Sequence, residues 1–97
     1  MAELFIFARF HAREKEAEAV VAAVREVIPP TRGEFGCLFI DAYRSTRNAR
    51  LIYIHSRWTD KAAFERHAEL PHTLRFLARV APLIDHPLDV TRARPLG

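Results

Sequence analysis

The segment LFIFARF, Leu4 to Phe10, is apolar on both sides if the backbone is extended. Strand side chains alternate, so Leu4, Ile6, Ala8 and Phe10 share one face while Phe5 and Phe7 take the other. A strand of this kind has to be covered twice. With 97 residues the chain has room for one domain and one core. What covers the second face is the question that governs the fold.

The next segment, Arg13 to Ile28, switches to a helical period. Ala17, Val20, Val21, Val24 and Ile28 form one stripe, and Glu14, Glu18 and Arg25 fall away from it. Glu14 and Glu16 suit the positive end of the helix dipole, and Pro29-Pro30 is expected to stop the helix. Phe35–Ser45 and Arg50–Trp58 read as strands joined by a short hairpin. Thr59 or Asp60 can cap a helix running through Ala68, and Pro71 kinks or restarts it. A second helical piece carries Phe76, Leu77, Val80 and Ile84, and Pro87–Ala93 reads as a last, more polar strand.

The order βαββαβ predicts one α+β domain over residues 1–97, a ferredoxin-like antiparallel sheet with both helices on one face. Two helices cover only that face, and Cys37–Ile40 is apolar on both sides as well. The leftover face is therefore expected to meet a second copy of the chain, giving a homodimer. No repeat, linker or low-complexity segment is visible. MAELFIFARF lacks the basic start and small-residue cleavage site of a leader, and no apolar run approaches the roughly 18 residues that span a bilayer. The expected location is the cytoplasm, with no membrane partner. Cys37 stands alone, so no internal disulfide can form, and a buried reduced thiol is expected. The net charge of +3 would matter for nucleic acid only if clustered, and the densest group, Arg44, Arg47 and Arg50, reads as a solvated loop.

Chemistry is suggested mainly by RWTDKAAFERHAELPH, residues 57–72. Ala63, Phe64 and His67 fall at i, i+1 and i+4, which sets His67 on the apolar side of its helix. His72, Phe76 and Val80 are spaced by four, so His72 also points inward. Both imidazoles should face the space between helices and sheet, beside Trp58. They can be core histidines satisfied by hydrogen bonds. A metal site is not expected: HExxH spacing is absent and there is no cysteine pair. A serine or cysteine triad lacks its motif too, with no GxSxG and no identifiable base for Cys37. What remains is a mostly apolar pocket with a few aimed donors, suited to a flat aromatic or carbonyl compound.

These residues carry a resemblance. EFGCLFIDAYRSTRNARLIYIHSRWTDKAAFERHAELPHTLRF, Glu34 to Phe76, resembles the antibiotic biosynthesis monooxygenase domain of the dimeric α+β barrel superfamily. The matching pieces are Gly36-Cys37-Leu38, then Arg44 and Asn48 around the hairpin, then Trp58, Asp60, Ala63, Phe64, His67, Pro71 and His72. The resemblance implies a homodimer of ferredoxin-like subunits, each with a cavity between helices and sheet. Members include cofactor-independent monooxygenases of quinols and polyphenols, haem-degrading enzymes and an isomerase. Two departures stand out. The asparagine that the haem-degrading branch carries on its first strand is missing from LFIFARF. The glutamate that many relatives place two residues before the Trp is Ser56 here, next to His55.

The resemblance implies a monooxygenase acting on a quinol- or polyphenol-like aromatic with dioxygen and no cofactor. A deprotonated quinol can reduce dioxygen itself, so the protein supplies a dry pocket, a base and an anion stabiliser. His67 or His72 would be the base, since imidazole changes charge near neutral pH. Trp58 would stack on the ring, Phe64 and Phe76 would line the pocket, Tyr43 or Asn48 would bond an oxygen, and Arg44 would face the phenolate. The alternative is a non-redox binder or isomerase using the same cavity. An RNA-recognition module shares the βαββαβ order, but LIYIHSRW lacks that module's aromatic motif, so no nucleic-acid partner is expected.

Overall fold

The computed structural model describes residues 2–97. Strand β1 (Leu4–His11) is followed by helix α1 (Ala17–Arg32), then by the hairpin of β2 (Cys37–Arg44) and β3 (Leu51–Trp58). Helices α2 (Lys61–His67) and α3 (Pro71–Val80) come next, with a 3₁₀ turn at Ala81–Leu83 and strand β4 (Asp89–Ala93). The sheet is antiparallel in the order β2-β3-β1-β4, the ferredoxin-like arrangement expected from the order of elements.

Alternation along β1 is as the sequence predicts: Leu4, Ile6, Ala8 and Phe10 are buried under the helices. On β3, Ile52, Ile54, Ser56 and Trp58 share that face, and Ile40 of β2 joins them. Phe10 meets Phe76 edge-on at 5.6 Å between ring centres, which ties α3 to the middle of the sheet. The opposite face carries Phe5, Phe7, Phe39, Tyr43, Tyr53 and His55. Phe7 and Tyr43 are each 49% exposed there, and His55 stacks on Phe7 at 4.5 Å.

Three helix boundaries differ from the sequence reading by about a turn, while the other ends shift by two residues or fewer. Helix α1 begins at Ala17 rather than Arg13, because Lys15 takes a left-handed φ of 70° and residues 13–16 close a turn through Glu16 N and Arg13 O. It then continues through Pro29-Pro30 to Arg32. The prolines leave the carbonyls of Arg25 and Glu26 without helical partners, but both residues are exposed and water can serve them. Thr31 Oγ1 donates to Val27 O at 2.7 Å, which holds the last turn together. Finally, α3 stops at Val80, and Ile84 is extended and bridges Ala12 instead of lying on a helix.

Two details position the functional residues. Asp60 caps α2 by accepting from Ala63 N at 2.9 Å, and Pro71 opens α3 at its first turn, where a missing N–H costs nothing. Gly36 sits at φ 91° against α2, where a Cβ would fall 2.5 Å from Ala63 Cβ. Only glycine lets the loop after α1 approach that helix so closely.

Candidate active site

The indole of Trp58, at the end of β3, is fully buried and donates through Nε1 to Ser56 Oγ at 3.0 Å. His67, the last residue of α2, lies over it with ring centres 4.8 Å apart, and Phe64 flanks both rings. His72, in the first turn of α3, is 6.3 Å from His67 ring to ring. Between them stands Glu34 from the loop after α1. Its Oε2 lies 2.8 Å from His67 Nδ1 and 2.6 Å from His72 Nε2, and only 8% of its side chain is exposed. Thr73 Oγ1 is 3.2 Å from the same His67 nitrogen.

A carboxylate can only accept, so each facing ring nitrogen carries the hydrogen. His67 is thus held as the Nδ1–H tautomer, with its Nε2 lone pair free. Of the two rings, His67 is the one that lines a cavity of about 270 Å³ between the helices and the sheet. Its other walls include Ile6, Ile54, Phe64, Phe76 and Val90, with Ser56 and Thr73 as hydroxyls. Among the described residues, no Asp, Glu, Lys or Arg lines it. His72 opens instead toward a polar cleft with Glu26, Arg75 and Arg79.

The structure therefore brings together His67, His72, Trp58, Phe64 and Phe76. Trp58 lies beneath His67, fully covered, so its ring is a floor and not an open stacking surface. Tyr43, Arg44 and Asn48 are elsewhere. Tyr43 pairs with Tyr53 on the opposite face of the sheet, because strand alternation puts it out of phase with Ile40. Arg44 ties down the hairpin, donating to Ala49 O at 3.0 Å and to Glu18 at 2.8 Å. Asn48 Oδ1 accepts from Arg50 N within the turn. Tyr43 and Arg44 border a larger groove of about 380 Å³ between α1 and β2, rimmed by Arg25, Arg32 and Asp41.

The sequence reading missed Glu34. A clue was present: two histidines on apolar helix faces need a buried acceptor, and the TRGEFG loop carries a carboxylate next to a glycine. The thiol of Cys37, three residues on, is pushed up first by burial and then by the Glu34 charge, against a backbone hydrogen bond at Phe39 and the Arg32 cation. Glu34, His67 and His72 also form a donor set of a kind that holds metal ions, as do His11, Asp85 and His86.

A profile of the family described as antibiotic biosynthesis monooxygenase matches residues 4–79. The chain belongs to the antibiotic biosynthesis monooxygenase family. The Mycobacterium tuberculosis protein named "Putative monooxygenase Rv0793" is 34% identical over 91 residues, covering 94% of this chain and 89% of that one. The crystal structure of PA3566 from Pseudomonas aeruginosa superposes with a TM-score of 0.93 at 30% identity, over 100% of this chain and 97% of the other. The structure of Rv0793 also gives 0.93, at 31% identity over 99% and 97%. Family membership supports a monooxygenase-like role. No described helix is long and apolar enough to cross a membrane.

Proposed function

We propose that this chain is a cofactor-independent monooxygenase of small quinol- or polyphenol-like aromatics, with His67 as base and Glu34 as the residue that positions it. The single observation that carries this reading is the Glu34–His67 pair opening onto an otherwise uncharged cavity. In such a site a phenol hydroxyl gives its proton to His67 Nε2. The phenolate then adds dioxygen at a ring C–H ortho or para to the oxygen, and the hydroperoxide loses water to leave a quinone carbonyl. One oxygen atom enters the product and the other leaves as water. The substrate supplies all four electrons, so no further reductant is needed. The Glu34 charge stabilises the imidazolium that forms, and the apolar walls keep water from quenching the carbanion.

His72 acts through Glu34, helping to fix the carboxylate. Phe64 and Phe76 contact the ring, and Ser56 and Thr73 offer hydroxyls to a substrate oxygen. The cavity holds roughly nine water volumes, which suits one or two fused rings.

The working unit in this reading is a cytoplasmic homodimer joined through the exposed sheet face. Support comes from the aromatic side chains Phe7, Phe39 and Tyr43 on that face. A reduced, unpaired Cys37 suits a cytoplasmic protein.

Aerobic incubation with a panel of mono- and bicyclic hydroquinones tests the reading. Oxygen uptake that disappears in His67→Ala supports it. A flat trace across the panel favours a non-redox ligand for the same cavity.

A further inference from the structure

The opposite end of the subunit holds a second cluster that the reaction does not use. Asp85 lies in the segment between the 3₁₀ turn and β4. Its Oδ1 accepts from His11 Nδ1, at the end of β1, and from His86 Nδ1 at 2.7 Å. Arg50 Nη2, from the turn just before β3, donates to the other oxygen, Oδ2, at 2.7 Å. The two imidazoles meet edge to face at 4.3 Å, so their Nδ1 atoms converge on one carboxylate oxygen.

We propose that His11, Asp85 and His86 form a binding site for a divalent transition-metal ion of the zinc type. Two imidazole nitrogens and one carboxylate oxygen are a donor set for zinc, leaving further positions for water. Arg50 fixes the carboxylate so that one oxygen faces both rings, the orienting role that outer partners play around metal ligands. Zinc ligands sit about 2.0–2.2 Å from the ion and so about 3.4 Å from one another in a tetrahedron, so the donors must part by roughly 0.7–1 Å to admit it. The His86 ring is free to make its share of that movement, because its side chain is 64% exposed and its backbone leads into a loop. The Glu34 cluster has the same donor types, yet its His67 ring is wedged between Trp58 and Phe64, where a packed interior resists such spreading.

The ion would staple the segment from Ile84 to Leu88 onto β1. Backbone bonds already tie it there: Ala12 bridges Ile84, and Asp85 N donates to His11 O at 3.0 Å. Leu88 lines the substrate cavity, so the staple would firm one of its walls. This inference is independent of the reaction assigned to that cavity.

The test is calorimetric titration of zinc chloride into untagged, chelator-treated full-length protein, with thermal unfolding at each ratio. The expected result is one ion per subunit with affinity on the order of micromolar. The thermal midpoint should rise by about 5 °C or more at saturation. His86→Ala, at an exposed position, should weaken binding at least tenfold, and His11→Ala/His86→Ala should abolish it. Glu34→Gln should bind as the parent does. Absence of saturable binding up to millimolar zinc overturns the proposal. So does binding that survives the double substitution but is lost in Glu34→Gln.

Discussion

Glu34 Oε2 stands 2.8 Å from His67 Nδ1, although 33 residues separate the two along the chain. The contact joins the loop after the first helix to the end of the second, and it determines which nitrogen of His67 is free to act. Oxygen uptake on the best hydroquinone should fall by about a hundredfold in Glu34→Gln and further in His67→Ala, with KM changed much less than kcat. Glutamine keeps the volume but can turn an N–H toward His67, favouring the other tautomer. A rescue of rate by Glu34→Asp, partial because the side chain is shorter, would set positioning apart from mere loss of structure.

His72→Ala leaves Glu34 buried with one ring donor instead of two. Urea unfolding should report a loss of about 1–3 kcal/mol. The kcat of the folded variant should drop less than that of His67→Ala. Equal loss in both variants would mean that the two rings share the same role.

Cys37 supplies a probe of the Glu34 charge. Burial and that charge both disfavour the thiolate, so the folded thiol titrates above its ordinary value. Iodoacetamide at pH 8 should modify the native protein more slowly than the urea-unfolded chain. The pH profile of the native rate should move to lower pH in Glu34→Gln, since one of the two raising causes is gone.

Gly36→Ala should be among the costlier single-methyl changes in the chain. The new Cβ meets Ala63 Cβ at 2.5 Å, and φ 91° strains any L side chain. We expect a loss of about 1–3 kcal/mol in urea. Activity should fall as well, because the loop that carries Glu34 must move away from α2.

If the proposed homodimer forms through the open sheet face, Phe7→Glu with Phe39→Lys should give monomers in light scattering where the parent gives dimers. Both side chains lie on the open sheet face and neither lines the cavity beside His67. Far-UV dichroism should stay unchanged, since neither side chain packs in the subunit core.

The sequence disclosed those parts of the fold that a local rule can fix. Period-two alternation gave both faces of β1, and the spacing of Ala63, Phe64 and His67 placed the imidazole inward. Asp60 and Pro71 marked the helix starts through their own capping chemistry. Other parts depended on competition between local rules. Pro29-Pro30 reads as a stop, yet the carbonyls it frees are solvated and Thr31 bonds back to Val27, so the helix continues. The family resemblance implied ligand roles for Tyr43, Arg44 and Asn48, while the charge pattern alone read Arg44 as part of a solvated loop. Strand parity turns Tyr43 outward, while Arg44 and Asn48 are occupied by the turn they stabilise. Glu34 was hidden for a different reason. Its meaning lies in contacts to residues 33 and 38 positions away, and no local pattern encodes them.

The most direct test of the catalytic proposal is single-turnover oxidation of a bicyclic hydroquinone under ¹⁸O₂, with the parent protein and His67→Ala compared by mass spectrometry. The account predicts a hydroxyquinone carrying one labelled oxygen per molecule from the parent, and the background autoxidation rate from the variant. Label absent from the product, or the same labelled yield from both proteins, would contradict it.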